Sequence, residues 1–262
     1  MGRRVDADFR HPVHILRAGF FVARQRSLLH FGPRYSLSGK GKRLGPQTKK
    51  QITLVERYAL PAAQIESRSF EVIEGLLPPD LSCTREERQI IKRIVHTSGD
   101  PQLASQVRIH AAAVEAGLAA IRSGATIFTD VQMAMAGVNR RLAEKFGCPV
   151  HCALATEGVI AAATCDGSTR ATAAIRLLGP ALDRSVVAIG NAPTALLALL
   201  DLVDQGVVRP ALVVGVPVGF VGAAEAKQEL LARTDIPSIS IEGFRGGSTL
   251  ATAIVNAMLL LA

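Results

Sequence analysis

The chain has 262 residues, 48% apolar and 20% charged with no Trp, which is enough apolar mass for one large core and excludes a wholly disordered protein. Its formal net charge of +8 is concentrated at one end: residues 1–50 hold 12 Lys/Arg against 2 Asp/Glu, leaving 18 against 20 in 51–262. The body is therefore slightly acidic, and with 4% aromatic residues it lacks the basic face and stacking platforms of a nucleic-acid-binding domain.

Residues 1–52 show no sustained periodicity and are rich in Arg, Lys, Gly and Pro, ending in the loop-like Ser38-Gly39-Lys40-Gly41-Lys42-Arg43-Leu44-Gly45-Pro46. They read as a flexible basic extension ahead of a domain spanning 53–262. An amphipathic stretch at 14–29 has the form of a targeting or membrane-surface helix, but Asp6 and Asp8 count against a targeting signal, and a misassigned start codon is the simpler account. From Pro61, Ile65, Phe70, Ile73 and Leu76 or Leu77 recur at helical spacing until Pro78-Pro79. A second helix is capped by Ser82 or Thr84, has Glu86 and Glu87 near its positive end, buries Ile90, Ile91, Ile94 and Val95, and stops at Gly99. A third is predicted over 111–121, with Gly124 as its stop.

Beyond Gly124 short apolar strands alternate with helices. Strands are predicted at 125–128, 150–154, 186–189, 211–216 and 239–241, with helices at 169–178, 193–202, 223–231 and 248–260. Continuously apolar runs such as Val186-Val187-Ala188-Ile189 fit parallel strands covered on both faces. The expected fold is α/β, a mostly parallel sheet with helices on both faces in a Rossmann-like three-layer arrangement, preceded by a helical N-terminal part.

Four cysteines, Cys83, Cys148, Cys152 and Cys165, form no Cys-x-x-Cys pair, and a reducing cytoplasm is the expected compartment. Cys148, His151 and Cys152 stand close together, yet no second cluster completes a zinc site, so they are expected as buried small residues of a strand rather than metal ligands. The apolar runs at 185–200 and 210–224 contain Pro and Gly and fall short of the roughly 20 residues of a membrane span.

Three strands end in glycine-bearing turns that open helices: Ile189-Gly190-Asn191-Ala192-Pro193-Thr194, Val214-Gly215-Val216-Pro217-Val218-Gly219-Phe220-Val221-Gly222 and Glu242-Gly243-Phe244-Arg245-Gly246-Gly247-Ser248. Their backbone N–H groups would suit a ligand carrying many carboxylates or phosphates, although tight turns demand glycine in any case. None has the spacing of a dinucleotide or Walker loop, and no G-x-S-x-G elbow occurs, so neither nucleotide nor acyl-transfer chemistry is expected. His96 lies three residues after Arg93 on one helix face, where a neighbouring cation loosens the imidazole proton for acid–base work; capping free carbonyls is the alternative. Arg170 opens a helix against the dipole, which suits an anion site or a plain surface position.

From about Tyr58 to its C-terminus the chain resembles the precorrin-8X/cobalt-precorrin-8 methylmutase family. The segments that carry this are Ile65-Glu66-Ser67-Arg68-Ser69-Phe70, Lys92-Arg93-Ile94-Val95-His96-Thr97, Thr129-Asp130-Val131-Gln132-Met133-Ala134, Thr169-Arg170, Ala188-Ile189-Gly190-Asn191-Ala192-Pro193-Thr194, Gly215-Val216-Pro217-Val218-Gly219-Phe220-Val221-Gly222-Ala223-Ala224-Glu225 and Gly246-Gly247-Ser248. The resemblance implies a homodimeric isomerase of cobalamin biosynthesis. Such an enzyme shifts a methyl group from C-11 to C-12 of a polycarboxylate corrinoid by a 1,5-sigmatropic rearrangement, with no separate cofactor. It implies further that His96 is the catalytic proton donor/acceptor and that Ser69, Arg93 and Arg170 meet the substrate, with Asn191, Gly219, Gly247 and Ser248 of the turns expected beside them. Ala226 before Lys227, and Ala171 after Arg170, stand where the family often has Ser. The segments Val95-His96-Thr97 and Thr129-Asp130-Val131-Gln132-Met133 look more like the cobalt-precorrin-8 branch, which yields cobyrinate, than the metal-free branch from precorrin-8X to hydrogenobyrinate. A non-catalytic corrinoid carrier is the reading from another class.

Overall fold

A computed structural model describes residues 53–55 and 61–262; the basic extension, its 14–29 stretch, the boundary at 52 and Tyr58 lie outside the described residues. Helix α1 (Ala62–Leu76) leads into α2 (Arg85–Ser98). The α2 start is a capping box: Glu87 N–H donates to Thr84 Oγ1 at 3.2 Å, and Thr84 N–H donates to Glu87 Oε2 at 2.7 Å. Its end is fixed by Gly99, which takes the left-handed conformation at φ 67° and donates its N–H to the Val95 carbonyl at 2.9 Å. Ile90, Ile91, Ile94 and Val95 are buried, as their spacing predicts. Of the predicted stripe, Ile73 is buried, with Leu77 just beyond the helix; Ile65 and Leu76 stay exposed, so half of it is a wall rather than core.

A six-stranded sheet follows. It comprises β1 (Val107–Ile109), β2 (Ile127–Thr129), β3 (Val150–Cys152), β4 (Val186–Ile189), β5 (Leu212–Gly215) and β6 (Ser238–Ile241), in the order β1-β6-β5-β4-β2-β3. Every pairing is parallel except β1 against β6. Three residues long and partly exposed, β1 leaves too short a pattern for the sequence to betray it. The remaining helices are α3 (Ala113–Arg122), α4 (Gln132–Gly137), α5 (Arg140–Lys145), α6 (Val159–Asp166), α7 (Arg170–Leu178), α8 (Pro193–Asp204), α9 (Ala223–Leu231) and α10 (Ser248–Leu261).

Strand alternation sorts the core into two layers. Ile127, Val186, Ala188, Leu212, Val214, Ile239 and Ile241 pack with residues of α2, α3 and α10. Phe128, Val187, Ile189 and Val213 pack with residues of α7, α8 and α9. This is the expected three-layer arrangement.

From β2 the chain runs outward to β3 and then returns to the other side of β2 as β4, which makes the β2/β4 boundary the topological switch point where open α/β sheets usually take a ligand. Here Asp130, directly after β2 and only 3% exposed, occupies it. Its carboxylate accepts N–H groups from Gly190 at 3.2 Å, Asn191 at 2.7 Å and Ala192 at 2.9 Å. The donors that the first glycine turn was expected to offer a ligand are thereby met from within the protein. Asp130→Ala is expected to leave all three unpaired and to cost about 3–5 kcal/mol, read as a lower urea midpoint at unchanged m-value.

Candidate active site

The end of α2 stands between two cavities. On one side α1 and α2 enclose a cleft of about 560 Å³, lined by Ile65, Ser69, Val72, Leu76 and His96. The exposed outer wall of α1 is thus its apolar lining, and His96, exposed in the last turn of α2, is its imidazole. The ring tilts against Phe70 at 5.4 Å between centroids. One turn earlier the Arg93 guanidinium lies 4.6 Å over the same phenyl ring, and its Nη1 pairs with Glu66 Oε1 at 2.5 Å. Ser69 Oγ donates to the Ile65 carbonyl at 2.9 Å, which leaves its lone pairs free to accept. The cleft lining brings His96 and Ser69 together and takes its cation from Arg68 of α1; Arg93 lies one turn back from His96 against Phe70 and Glu66, outside that lining.

On the other side is a cavity of about 480 Å³ lined by Thr97, Ser98, Asp100, Phe220, Phe244 and Arg245, among others. Its far wall is the second and third glycine turns, which close on each other. Gly219 N–H donates to the Phe244 carbonyl at 3.1 Å and Gly247 N–H to the Val216 carbonyl at 2.9 Å. A Cβ at Gly246 would lie 2.2 Å from the Val216 oxygen, so no side chain fits there. The N–H groups of Gly219 and Gly247, like those of the first turn, are spent holding the fold, because adjacent turns at one sheet edge satisfy each other's buried donors. What these turns present is side chains. Phe220 and Phe244 stack at 5.1 Å, and Phe220 and Val221 are each 89% exposed at the tip.

Asn191 is exposed beside the turn that Asp130 holds. Ser248 is buried at the start of α10, so close to Gly190 that a Cβ there would lie 2.7 Å from its Cα. Arg170 is exposed at the start of α7 and makes no ion pair among the described residues. Its neighbour Thr169 shares a hydrogen bond of 2.9 Å with Thr194 of the first turn. Neither cavity lining described above includes Arg170, Asn191 or Ser248.

Cys148 and Cys152 are buried as expected, and burial pushes both thiols above their ordinary pKa. The reading of His151 as buried is corrected: β3 is an edge strand, and His151 is exposed, its ring 5.8 Å from Phe128. Among the described residues no group of three or more His, Cys, Asp or Glu is placed to hold a metal ion, and no helix is long and apolar enough to cross a membrane.

Sequence reasoning missed Lys227. It sits on α9, fully buried, in register with Ala223, Ala226 and Leu230 on the helix's inner stripe. Its Nζ donates to the Arg245 carbonyl at 2.6 Å and has no carboxylate partner among the described residues. A lysine inside an apolar i, i+3, i+4, i+7 stripe was the available signal. Burial lowers its pKa from 10.5 to about 8. Between those values the unfolded chain binds more protons than the native one, so the charge penalises folding fully below pH 8 and is relieved as pH rises toward 10.5. Lys227→Met is therefore expected to raise unfolding free energy at pH 7 by about 1–2 kcal/mol, the difference between the roughly 3 kcal/mol held against that pKa and the lost hydrogen bond. The gain should shrink when the denaturant series is repeated at pH 10.

Residues 64–261 match the family model described as precorrin-8X methylmutase. A cobalt-precorrin-8 methylmutase of Leptospira interrogans is 40% identical over 219 residues, covering 81% of this chain and 96% of its own length. That of Priestia megaterium is 42% identical over 199 residues, with 76% and 88% covered. The solved precorrin-8X methylmutase from Thermus thermophilus superposes with a TM-score of 0.69 at 39% identity, covering 76% of this chain and 96% of that one. With matches of this identity that run almost to the last residue, the chain belongs to the precorrin-8X methylmutase family of isomerases.

Proposed function

We propose that this chain converts cobalt-precorrin-8 to cobyrinate by moving the ring methyl from C-11 to C-12, with His96 as the proton donor/acceptor. The observation that carries this reading is the exposed His96 imidazole on an apolar cleft, with Arg93 one turn away and Ser69 opposite. Both curated relatives cited above are named for the cobalt-containing substrate, whereas the solved Thermus thermophilus relative is named for precorrin-8X; the first two support this choice.

A flat macrocycle edged with carboxylates suits this surface. The apolar wall of Ile65, Val72 and Leu76 takes the face of the ring, and the guanidinium of Arg93, one turn from His96 over the Phe70 ring, meets a carboxylate that reaches past the cleft. Glu66, exposed and paired with Arg93, orients that guanidinium until the substrate carboxylate competes for it. Ser69, its O–H held by the Ile65 carbonyl, accepts from substrate donors at the same edge. Arg170 and the exposed Asn191 amide belong to the outer rim, reached by carboxylates that project beyond the cleft, while Gly219, Gly247 and Ser248 shape the turns behind it. The migration is an isomerisation: the C-11 to methyl bond breaks as the C-12 to methyl bond forms, and the ring π-electrons shift to match. A proton placed by His96 on the ring system near the migration terminus, or on the ring C nitrogen, selects the tautomer in which that shift is allowed, and the same imidazole recovers it afterwards. The reaction draws on no separate cofactor.

We read the enzyme as a cytoplasmic homodimer. A mass from light scattering of twice that of the chain is the expected result, and a monomer mass would overturn it. His96→Ala is expected to lower kcat by 10²–10⁴-fold with KM changed less than about threefold, followed by the visible spectrum as the corrin conjugation forms. Retained turnover would remove the acid–base role; tight binding by the wild type with the methyl left at C-11 would make the protein a carrier. Parallel assays with cobalt-precorrin-8 and metal-free precorrin-8X decide the metal preference.

A further inference from the structure

The second cavity, on the far side of α2 from the imidazole, belongs to no role assigned above. Its charged lining is Asp100 and Arg245. Arg245 Nη1 lies 2.7 Å from Asp100 Oδ2, off the hydrogen-bond axis, and the guanidinium donates no hydrogen bond among the described residues. Asp100 is itself fixed: its Oδ1 accepts the Gln102 N–H at 2.9 Å, and its own N–H donates to Ser98 Oγ at 3.1 Å. The loop bearing Arg245 is held from below by the ammonium of Lys227 at its main-chain carbonyl, and from the side by the Gly219 to Phe244 and Gly247 to Val216 hydrogen bonds. Holding a surface loop does not require a buried, unpaired charge, since a hydroxyl or amide would meet one carbonyl at less cost. The Lys227 ammonium below the Asp100–Arg245 ion pair leaves one net positive charge beside the stacked Phe220 and Phe244, next to a guanidinium that donates no hydrogen bond among the described residues.

We propose that Arg245 is a further substrate-binding residue, taking a peripheral carboxylate of the corrinoid in the second cavity, and that Lys227 is the positioning residue that sets it there. The inference rests on the corrinoid reading of the first cleft. Alternate residues of the α2 end face the two cavities, His96 and Gly99 one, Thr97, Ser98 and Asp100 the other. A ring lying across that helix end therefore has carboxylates within reach of both. Asp100 keeps the guanidinium pointed at the cavity while the substrate is away.

The test is equilibrium binding of cobyrinic acid and of its uncharged heptamethyl ester, followed by visible absorbance, to the full chain and to Arg245→Gln, Lys227→Met and the double variant. Arg245→Gln should weaken the acid at least tenfold and leave the ester within twofold. Lys227→Met should weaken the acid three- to tenfold at an undiminished melting temperature. The double variant should bind no worse than Arg245→Gln alone, because Lys227 acts through Arg245. Wild-type affinity of Arg245→Gln for the acid overturns the proposal, as does an equal loss for acid and ester, or a double variant whose losses multiply. The Arg245→Gln arms decide the ligand role even if Lys227→Met fails to fold. A wild-type chain that binds neither corrinoid would fail the functional reading itself, whereas turnover abolished by His96→Ala beside an indifferent Arg245→Gln fails this inference alone.

Discussion

Asp130 sits where the direction of strand addition reverses, and its buried carboxylate gathers three consecutive N–H groups from the turn after β4. In many open α/β sheets that crevice is the ligand site, with the phosphate of a nucleotide taking the same donors. Here a side chain does the work of the phosphate. The turn is locked against the start of α10 through the Gly190 to Ser248 approach, and the imidazole-bearing cleft stands apart from it, between α1 and the end of α2. The carboxylate takes the donors that a nucleotide-style site would need at that switch point.

The end of α2 can serve as a platform because both of its termini are fixed independently of any ligand. The Thr84 and Glu87 capping box sets where the helix begins, Gly99 sets where it stops, and four aliphatic residues bury its inner face in the core layer it shares with α10. Between those constraints the last turn alternates its side chains toward two cavities. Arg93 and His96 are aimed by helical geometry rather than by loop conformation, which suits chemistry that depends on placing one proton at one position of a large ring.

Much of the architecture was legible in the sequence for local reasons. The α2 stripe, its cap and its stop, and β4 at 186–189, are each written in consecutive residues whose periodicity or turn chemistry admits one reading. Where the reading fell short, the deciding contact is distant in sequence. Strand β1 exists because Val107 and Ile109 pair with residues more than 120 positions later. The glycine turns looked like anion cradles because their donors are visible in sequence, but the acceptors that consume them, Asp130 and the Phe244 and Val216 carbonyls, come from other segments. His96, Arg93 and Ser69 could be placed from spacing and family resemblance together; Asp100 and Arg245 form a pair that only the fold brings into contact.

Lys227 sits uneasily with efforts to harden the protein. Any selection that rewards survival of heating, and ignores catalysis, should discard this ammonium early, since an aliphatic side chain of the same length fits the hole without carrying a charge into it. Variants found that way would look improved by every physical assay while their grip on a polyanionic ring loosened. A lysine in such a place sets the position of the neighbouring loop against the robustness of the fold.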